Sequence, residues 1–204
     1  MKRAFDVVVA LLGLTMTSPI VAAAAIAVKF GSEGPAFFSG PRVGRDGVVF
    51  RMHKLRTMRS GADKIGPAVT AGDDPRITGV GRFLRRTKID ELPQLWNVVR
   101  GDMSLVGPRP EHPDYVARYT PEQRRLLAVR PGITGPATLA FIDEERLLSG
   151  GRGEERYVEE VMPRKLDLEL SYVDAANFGS DLAILLKTAA RMVRRPFGTS
   201  AGSP

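Results

Sequence analysis

Lys88-Ile-Asp-Glu-Leu-Pro-Gln-Leu-Trp-Asn-Val-Val-Arg-Gly-Asp-Met-Ser-Leu-Val-Gly-Pro-Arg-Pro110 sets two adjacent carboxylates, Asp90 and Glu91, at a predicted helix start and a stiff basic loop just beyond its end. The helix is expected from about Asp90 to Arg100, closed by Gly101 as C-terminal cap. Pro93 falls in the first turn, where amides have no helical partner to lose. Arg109 stands between Pro108 and Pro110, so its backbone has little freedom and its planar fork suits phosphate oxygens or a base edge. Two carboxylates cannot share apolar surroundings without a cation, and the pair invites a divalent metal completed by oxygen ligands and substrate phosphate. Taken alone, an Asp-Glu pair is also an ordinary helix start, with Asp90 as N-cap and Glu91 as a favourable first-turn charge. Leu95 and Trp96 are read as core residues, and Asp102 as a turn residue bonding nearby amides.

At the other end of the chain, the twenty-two residues from Val7 to Val28 carry no charge and are mostly Val, Leu, Ile and Ala. About 20 such residues suffice to cross a bilayer core. A secretory signal is one reading, given the basic start at Lys2 and Arg3 and the small residues Ala22 to Ala25. Against it, the run exceeds the roughly 7–15 residues of a signal core and Asp6 interrupts its entry. A straight spanning helix is a second reading, and Ser18-Pro19 opposes it. Pro19 removes an amide and displaces a carbonyl of the preceding turn, which a hydroxyl of Thr15 or Ser18 can satisfy, so a kink is expected. The basic residues on both flanks, Lys2 and Arg3 before and Lys29, Arg42, Arg45, Arg51, Lys54 and Arg56 after, place both ends on one side. A segment with such flanks should re-enter, but a kinked span fits the residues equally well.

The 204 residues carry a formal charge of +7 and a pI near 10, which fits nucleic acid, an anionic membrane surface or a polyanionic small substrate. There is no cysteine, which excludes a disulfide scaffold and a thiolate zinc site, and the two histidines, His53 and His112, lack ligand spacing. No aromatic-basic interleaving or helix-turn-helix pattern speaks for nucleic acid. Length and the absence of a linker predict one domain over 1–204, with 1–30 embedded in the membrane and 198–204 as a disordered tail.

Between these landmarks, Ala36-Phe-Phe-Ser and Val48-Val-Phe-Arg-Met-His flank Arg45-Asp-Gly47 and predict a β-hairpin, with Lys54 and Arg56 leaving its second strand. Residues 60–74 read as a mobile loop. A short basic helix is expected over 77–86 with Phe83 and Leu84 on its buried side. Further helices are expected over 121–129, capped by Thr120, over 154–172, and over 180–195. The last either caps the core or lies on the membrane. The fold class is α/β, mostly helical with a small β-hairpin sheet.

The quoted run, from Asp90-Glu-Leu-Pro-Gln-Leu-Trp-Asn-Val to Gly101-Asp-Met-Ser-Leu-Val-Gly-Pro-Arg-Pro110, resembles the core motif of the bacterial sugar transferases, small monotopic phosphoglycosyl transferases. The resemblance extends to Lys2-Arg-Ala-Phe-Asp6, Gly34-Pro-Ala-Phe-Phe38, Arg42-Val-Gly44, Phe50-Arg-Met-His-Lys-Leu-Arg-Thr-Met58, Asp74-Pro-Arg-Ile-Thr78 and Val129-Arg-Pro-Gly-Ile-Thr-Gly135, with weaker similarity onward. The chain departs from the family pattern at Gly40-Pro41, at Glu169, and after Gly135, where Pro136-Ala-Thr-Leu-Ala-Phe-Ile-Asp-Glu-Glu145 follows.

The resemblance implies an N-terminal re-entrant membrane helix broken at Ser-Pro, and transfer of a sugar 1-phosphate from a UDP-sugar to polyprenol (undecaprenyl) phosphate with release of UMP. In that chemistry Asp90 is the nucleophile that forms an aspartyl phosphosugar, and Glu91 is the ligand of Mg2+. Lys54 and Arg85 organise phosphate and metal, and Arg109 contacts the nucleotide. Arg130 is either an anion contact or a structural pair for Glu111 or Asp114. The resemblance also implies membrane lipids as partners, no nucleic acid, and the cytoplasmic face of a bacterial inner (plasma) membrane at the first membrane step of glycan assembly, such as exopolysaccharide biosynthesis. It leaves the donor sugar and a homo-oligomer open. The competing reading is a membrane-anchored scaffold with an inert core.

Overall fold

The computed structural model describes residues 2–194, so the tail 198–204 and Arg195 lie outside the described residues. The described chain is mostly helical with two small sheets, and it begins with the apolar helix α1 (Lys2–Gly31). Asp6, Ala10, Ala24 and Val28 make its buried side, and Gly13 packs so close to Leu95 that a Cβ there would stand 3.1 Å from its side chain. The opposite side is large and apolar, with Leu12, Met16, Ile20, Ile26 and Phe30 exposed. Among the described residues α1 is the one helix long and apolar enough to cross a membrane, with a mean hydropathy of 2.1 in its most apolar stretch.

Pro19 lies inside α1, which runs through it as one uninterrupted helix, so the break expected at Ser18-Pro19 is not shown. Ser18 Oγ donates to the Thr15 carbonyl at 2.9 Å, the acceptor that Pro19 deprives of an amide, as the sequence predicts. Both ends of α1 are fastened to the same body. Arg3 donates to the carbonyls of Val98 at 2.7 Å and Met103 at 3.3 Å, and the buried Asp6 accepts from Ser104 Oγ at 2.8 Å. At the other end Ala24 and Val28 pack with Leu55 and Leu84.

The predicted hairpin is β1 (Phe37–Val43) against β2 (Val49–Leu55), antiparallel, with Phe37 opposite Leu55 and Val43 opposite Val49. Asn97 replaces a missing strand on the outer edge of β2. Its side chain accepts from the His53 amide at 3.0 Å and donates to the Arg51 carbonyl at 2.8 Å. Asp102 accepts from the same Asn97 amide at 3.1 Å, the structural role expected of it.

Helix α2 (Gly79–Thr87) starts on Thr78, whose Oγ1 accepts from the Gly81 amide at 2.9 Å. Leu84 is buried as expected, but Phe83 is 60% exposed, because adjacent helical positions diverge by about 100°. The expected helix over 90–100 divides into a 3-10 turn, Ile89–Glu91, and α3 (Gln94–Arg100), which Gly101 closes with a left-handed φ of 100°. Trp96 is a correction: it is half exposed, since its neighbour Leu95 takes the position against α1.

A second sheet that the sequence did not announce pairs β3 (Ser104–Val106) in parallel with β4 (Gly132–Thr134). There the backbone of Gly107-Pro108-Arg109-Pro110 crosses that of Arg130-Pro131-Gly132. A Cβ on Gly132 would lie 2.1 Å from the Gly107 nitrogen, so only glycine permits the approach.

The remaining helices are α4 (Pro113–Val116), α5 (Pro136–Ala140), α6 (Glu144–Leu147), α7 (Gly153–Arg156), α8 (Met162–Ala175) and α9 (Phe178–Arg194), with a π-helical turn at Tyr157–Val161 joining α7 to α8. The helix expected over 121–129 is a 3-10 segment, Gln123–Ala128, although Thr120 and Gln123 make the reciprocal capping bonds at 3.2 and 2.9 Å. Core clusters form around Tyr115, Tyr157 and Leu166, around Val98, Met103 and Leu105, and around Leu55 and Leu84; α1 contributes to the last two.

Asn97→Ala leaves one strand amide and one carbonyl without partners and should cost about 2–5 kcal/mol. Thermal or chemical denaturation checks this, and an unchanged midpoint would mean that water replaces the side chain on the β2 edge.

Candidate active site

Three segments converge on Glu91. The end of β2 supplies Lys54, the junction after α2 supplies Lys88, and the loop between the two glycine-crossed strands supplies Arg109. Arg109 makes a two-pronged contact, Nη2 to Oε1 at 2.8 Å and Nη1 to Oε2 at 3.3 Å. Lys54 Nζ lies 3.5 Å and Lys88 Nζ 4.0 Å from Oε1. Burial alone would raise the Glu91 carboxyl, but the charges of Arg109, Lys54 and Lys88 overcome it and hold the group well below the usual carboxylate range. In return Glu91 raises Arg109.

Asp90, its neighbour, is treated differently. It is 4% exposed, and its Oδ1 is buried with no partner. Burial, followed by the Glu91 charge, pushes its carboxyl up to about 6 against the opposing pull of Lys54, Arg85 and Lys88. It caps no helix, because α3 starts at Gln94 and the 3-10 turn shows no side-chain capping bond. The ordinary N-cap role is therefore absent. Lys54 is lowered to about 8, by burial first, with Glu91 opposing.

Arg85 is close enough to act on Asp90 through its charge, while its fork binds Glu145 at 2.8 Å and Thr57 Oγ1 at 3.2 Å. Arg130 is not brought to Glu111 or Asp114. Its Nε donates to the Gly101 carbonyl at 3.0 Å, Glu111 is taken by Tyr157 and Lys165, and Asp114 pairs with His112. The Gly132 crossing turns the neighbouring Arg130 towards the end of α3.

Sequence reading missed several participants. Lys88 holds a left-handed φ of 59°, rare for a residue with a side chain, at the step into Ile89-Asp90-Glu91. Gln94, one helical turn past Asp90, is fully buried with both amide atoms unpartnered; its i+4 spacing was the available signal. Glu169 on α8 accepts from the Arg109 amide at 3.3 Å, keeps Oε2 without a partner, and is pushed up to about 7 by burial. Behind Arg109, Lys165 joins Glu144 at 2.9 Å and Glu111 at 3.4 Å.

Lys54 also separates two cavities. One, of about 510 Å³, is basic, lined by Arg42, Arg51, Arg59 and Arg85, with Phe37, Phe38 and Met58 also in its wall. The other, of about 360 Å³, has aliphatic walls and carries Lys88, Glu91 and Arg109 at its polar part.

No cluster of three or more potential metal-binding side chains occurs among the described residues. Magnesium commonly takes only one or two carboxylates and fills its shell with water and phosphate oxygens. The donor set fits it in kind, with the free Oδ1 of Asp90 beside Glu91, provided that a cation now on Glu91 moves to phosphate. For the magnesium-free protein we expect an infrared carboxyl band titrating near pH 6, ionised above and protonated below, and lost in Asp90→Asn. A band titrating near 4 would show that the burial of Asp90 is relieved in solution.

The sequence profile of the bacterial sugar transferases matches residues 1–195. The chain is 42% identical over 190 residues to the UDP-glucose:undecaprenyl-phosphate glucose-1-phosphate transferase of Caulobacter vibrioides, an alignment covering 92% of this chain and 67% of that protein. It is 38% identical to the Escherichia coli protein of that name, over 92% of this chain and 39% of its relative. It is also 39% identical to the UDP-N-acetylgalactosamine-undecaprenyl-phosphate N-acetylgalactosaminephosphotransferase of Aeromonas hydrophila, over 97% of this chain and 44% of the relative. The chain thus spans less than half the length of two of these three relatives. Its motifs, its near-complete profile match and these identities together show that it belongs to the bacterial sugar transferase family.

Proposed function

We propose that the protein transfers a sugar 1-phosphate from a UDP-sugar to undecaprenyl phosphate and releases UMP, in two steps through Asp90. The observation that carries this reading is the pairing of unlike neighbours: Glu91 saturated by cations, and Asp90 buried with a free oxygen. In the first step an Asp90 oxygen forms a bond to the β-phosphorus, the bond from that phosphorus to the bridging oxygen breaks, and UMP leaves with the bridging oxygen and its electron pair. In the second, an oxygen of the lipid phosphate bonds to the same phosphorus and the Asp90 carboxylate is expelled. Neither step requires a proton. Relatives named for undecaprenyl phosphate support the acceptor.

A carboxylate approaching a diphosphate meets like charge, so phosphate oxygens must be neutralised before attack. Lys54, Lys88 and Arg109 are already gathered there, and Arg85 adds its charge. Magnesium held by Glu91 would supply further charge neutralisation at the diphosphate.

We place the protein at the cytoplasmic face of a bacterial inner membrane, with α1 dipping into one leaflet and returning near Pro19. The fastening of both its ends to one body supports this, as does its exposed apolar side. Exposed Phe83 and Trp96 suit a membrane interface. Tags at residues 1 and 204 should both be open to protease from the cytoplasmic side alone, and Pro19→Ala should move some molecules to a spanning form. Labelling of the unmodified N-terminus from the far side would overturn re-entry.

The decisive assay follows UMP from a panel of UDP-sugars with and without undecaprenyl phosphate; release of none would favour the inert scaffold. Asp90→Asn should abolish release at every magnesium concentration, since charge neutralisation cannot replace a nucleophile. Glu91→Gln should lower it heavily but respond to raised magnesium. Equal magnesium dependence in Glu91→Gln and the unmodified protein would place the metal elsewhere.

A further inference from the structure

The cavity beside Glu91 is bordered by the charged groups of the chemistry derived above, but its aliphatic walls have no part in it. It lies between the start of α3, strands β3 and β4, α5 and α9, with walls formed by Leu92, Leu95, Ile133, Ala137, Leu185 and Ala189. Phe141 is its only aromatic lining residue among the described residues, and the charged groups Lys54, Lys88, Glu91, Arg109, Glu144, Glu145 and Lys165 also border it. Lys54 is shared with the basic cavity, whose lining includes Arg42, Arg51, Arg59 and Arg85. A uridine diphosphate needs cationic walls, which the arginines of that cavity offer, and an aromatic face for its base, which Phe37 and Phe38 in the same wall can give. The aliphatic one needs a hydrocarbon.

Leu95 connects this cavity to the membrane-facing helix, since it both lines the wall and packs on Gly13 of α1. On α9, Leu185 and Ala189 face the cavity while Leu182 and Leu186 are exposed on the same helix. A molecule with a phosphate head and a hydrocarbon tail can lie here with its head among Lys54, Lys88 and Arg109 and its tail against aliphatic walls that continue to apolar surface. The charge complementarity and that continuity select the occupant.

We infer that this groove holds the first isoprene units of the lipid acceptor, with its phosphate directed at the Asp90 phosphosugar, while the UDP-sugar enters by the basic cavity on the other side of Lys54. The inference rests on the reading of the protein as a phosphosugar transferase to a polyprenol phosphate. Two substrates then reach one carboxylate by chemically opposed routes.

The chain has no cysteine, so a single one can report on the groove. Ala189→Cys lines it, and Ala190→Cys, exposed on the same helix outside it, is the control. Both variants are placed in nanodiscs, and maleimide labelling is timed with added undecaprenyl phosphate or with phosphatidic acid at equal mole fraction. Undecaprenyl phosphate should slow labelling at position 189 saturably, by about tenfold at an excess that fills most sites, and leave position 190 unchanged. Phosphatidic acid should do neither. Unaltered labelling at position 189, or equal protection by phosphatidic acid, overturns the assignment.

This readout needs no turnover, so it can fail while UDP-sugar-dependent UMP release succeeds, or the reverse. Kinetics add a second arm. Ala189→Trp fills the groove and should raise the KM for undecaprenyl phosphate about tenfold or more, while the UMP burst from donor alone stays at the unmodified level. An unchanged lipid KM in Ala189→Trp would also overturn it.

Discussion

One buried glutamate shared by three cations holds the candidate site together. Taking a carboxylate out of water costs several kcal/mol, which only close and well-aligned partners offset. Arg109 gives Glu91 that geometry with two prongs, and Lys54 and Lys88 add charge from other segments. The pairing therefore joins the end of the hairpin, the turn after α2 and the Pro-Arg-Pro loop, segments distant in sequence. Removal of one partner from such a pair costs about 3–5 kcal/mol, because the other charge stays buried. It also fixes the division of labour between neighbouring carboxylates: Glu91 absorbs the local cations, and Asp90 keeps an oxygen without a partner.

Arg109 owes its place to backbone as much as to charge. The Gly107 segment crosses Gly132 at a distance no side chain would permit, and β3 and β4 pair in parallel just before that crossing. Glu169 then holds the Arg109 amide from α8. The guanidinium is thus aimed by two proline-flanked bonds, a glycine crossing and a buried carboxyl, before Glu91 meets it. A loop anchored in this way loses little conformational entropy when a ligand displaces the ion pair.

Features governed by neighbours in sequence were legible from the residues. The hairpin announced itself by two apolar runs around Arg45-Asp-Gly47, Gly101 by its place after the helix, and the Ser18 hydroxyl by the proline that follows it. Asp90, Glu91, Lys54 and Arg109, named from the motif, do converge in space. What failed to show depends on distant chain. A three-residue strand such as Ser104–Val106 has no usable periodicity, and its parallel partner lies beyond α4. Trp96 and Phe83 look like core by composition, yet α1 covers the positions beside them and leaves both exposed. Arg130 went to the Gly101 carbonyl because the carboxylates expected for it were already claimed by Tyr157, Lys165 and His112. Lys88 and Gln94 stood inside the motif, but only a backbone angle and a pair of unpartnered amide atoms single them out.

The charge of the site bears on why transfer would proceed in two steps. Lys54, Lys88 and Arg109 act on Glu91 and Asp90, while the fourth cation, Arg85, is also held by Glu145, so the side chains alone leave an excess of about one positive charge. A UDP-sugar brings roughly two negative charges, and so does a lipid phosphate at neutral pH. With a magnesium ion added, the site would balance one of them but not both together. Direct displacement would require both anions around one phosphorus at once, and a low-dielectric pocket makes the unbalanced remainder costly. Holding the phosphosugar on Asp90 would let the nucleotide carry its charge away before the second phosphate enters, so that the same cations would serve two anions in succession. On this argument the buried free oxygen of Asp90 and the limited number of cations around it would be parts of one design, in which a nucleophile serves a site able to neutralise only one substrate phosphate group at a time.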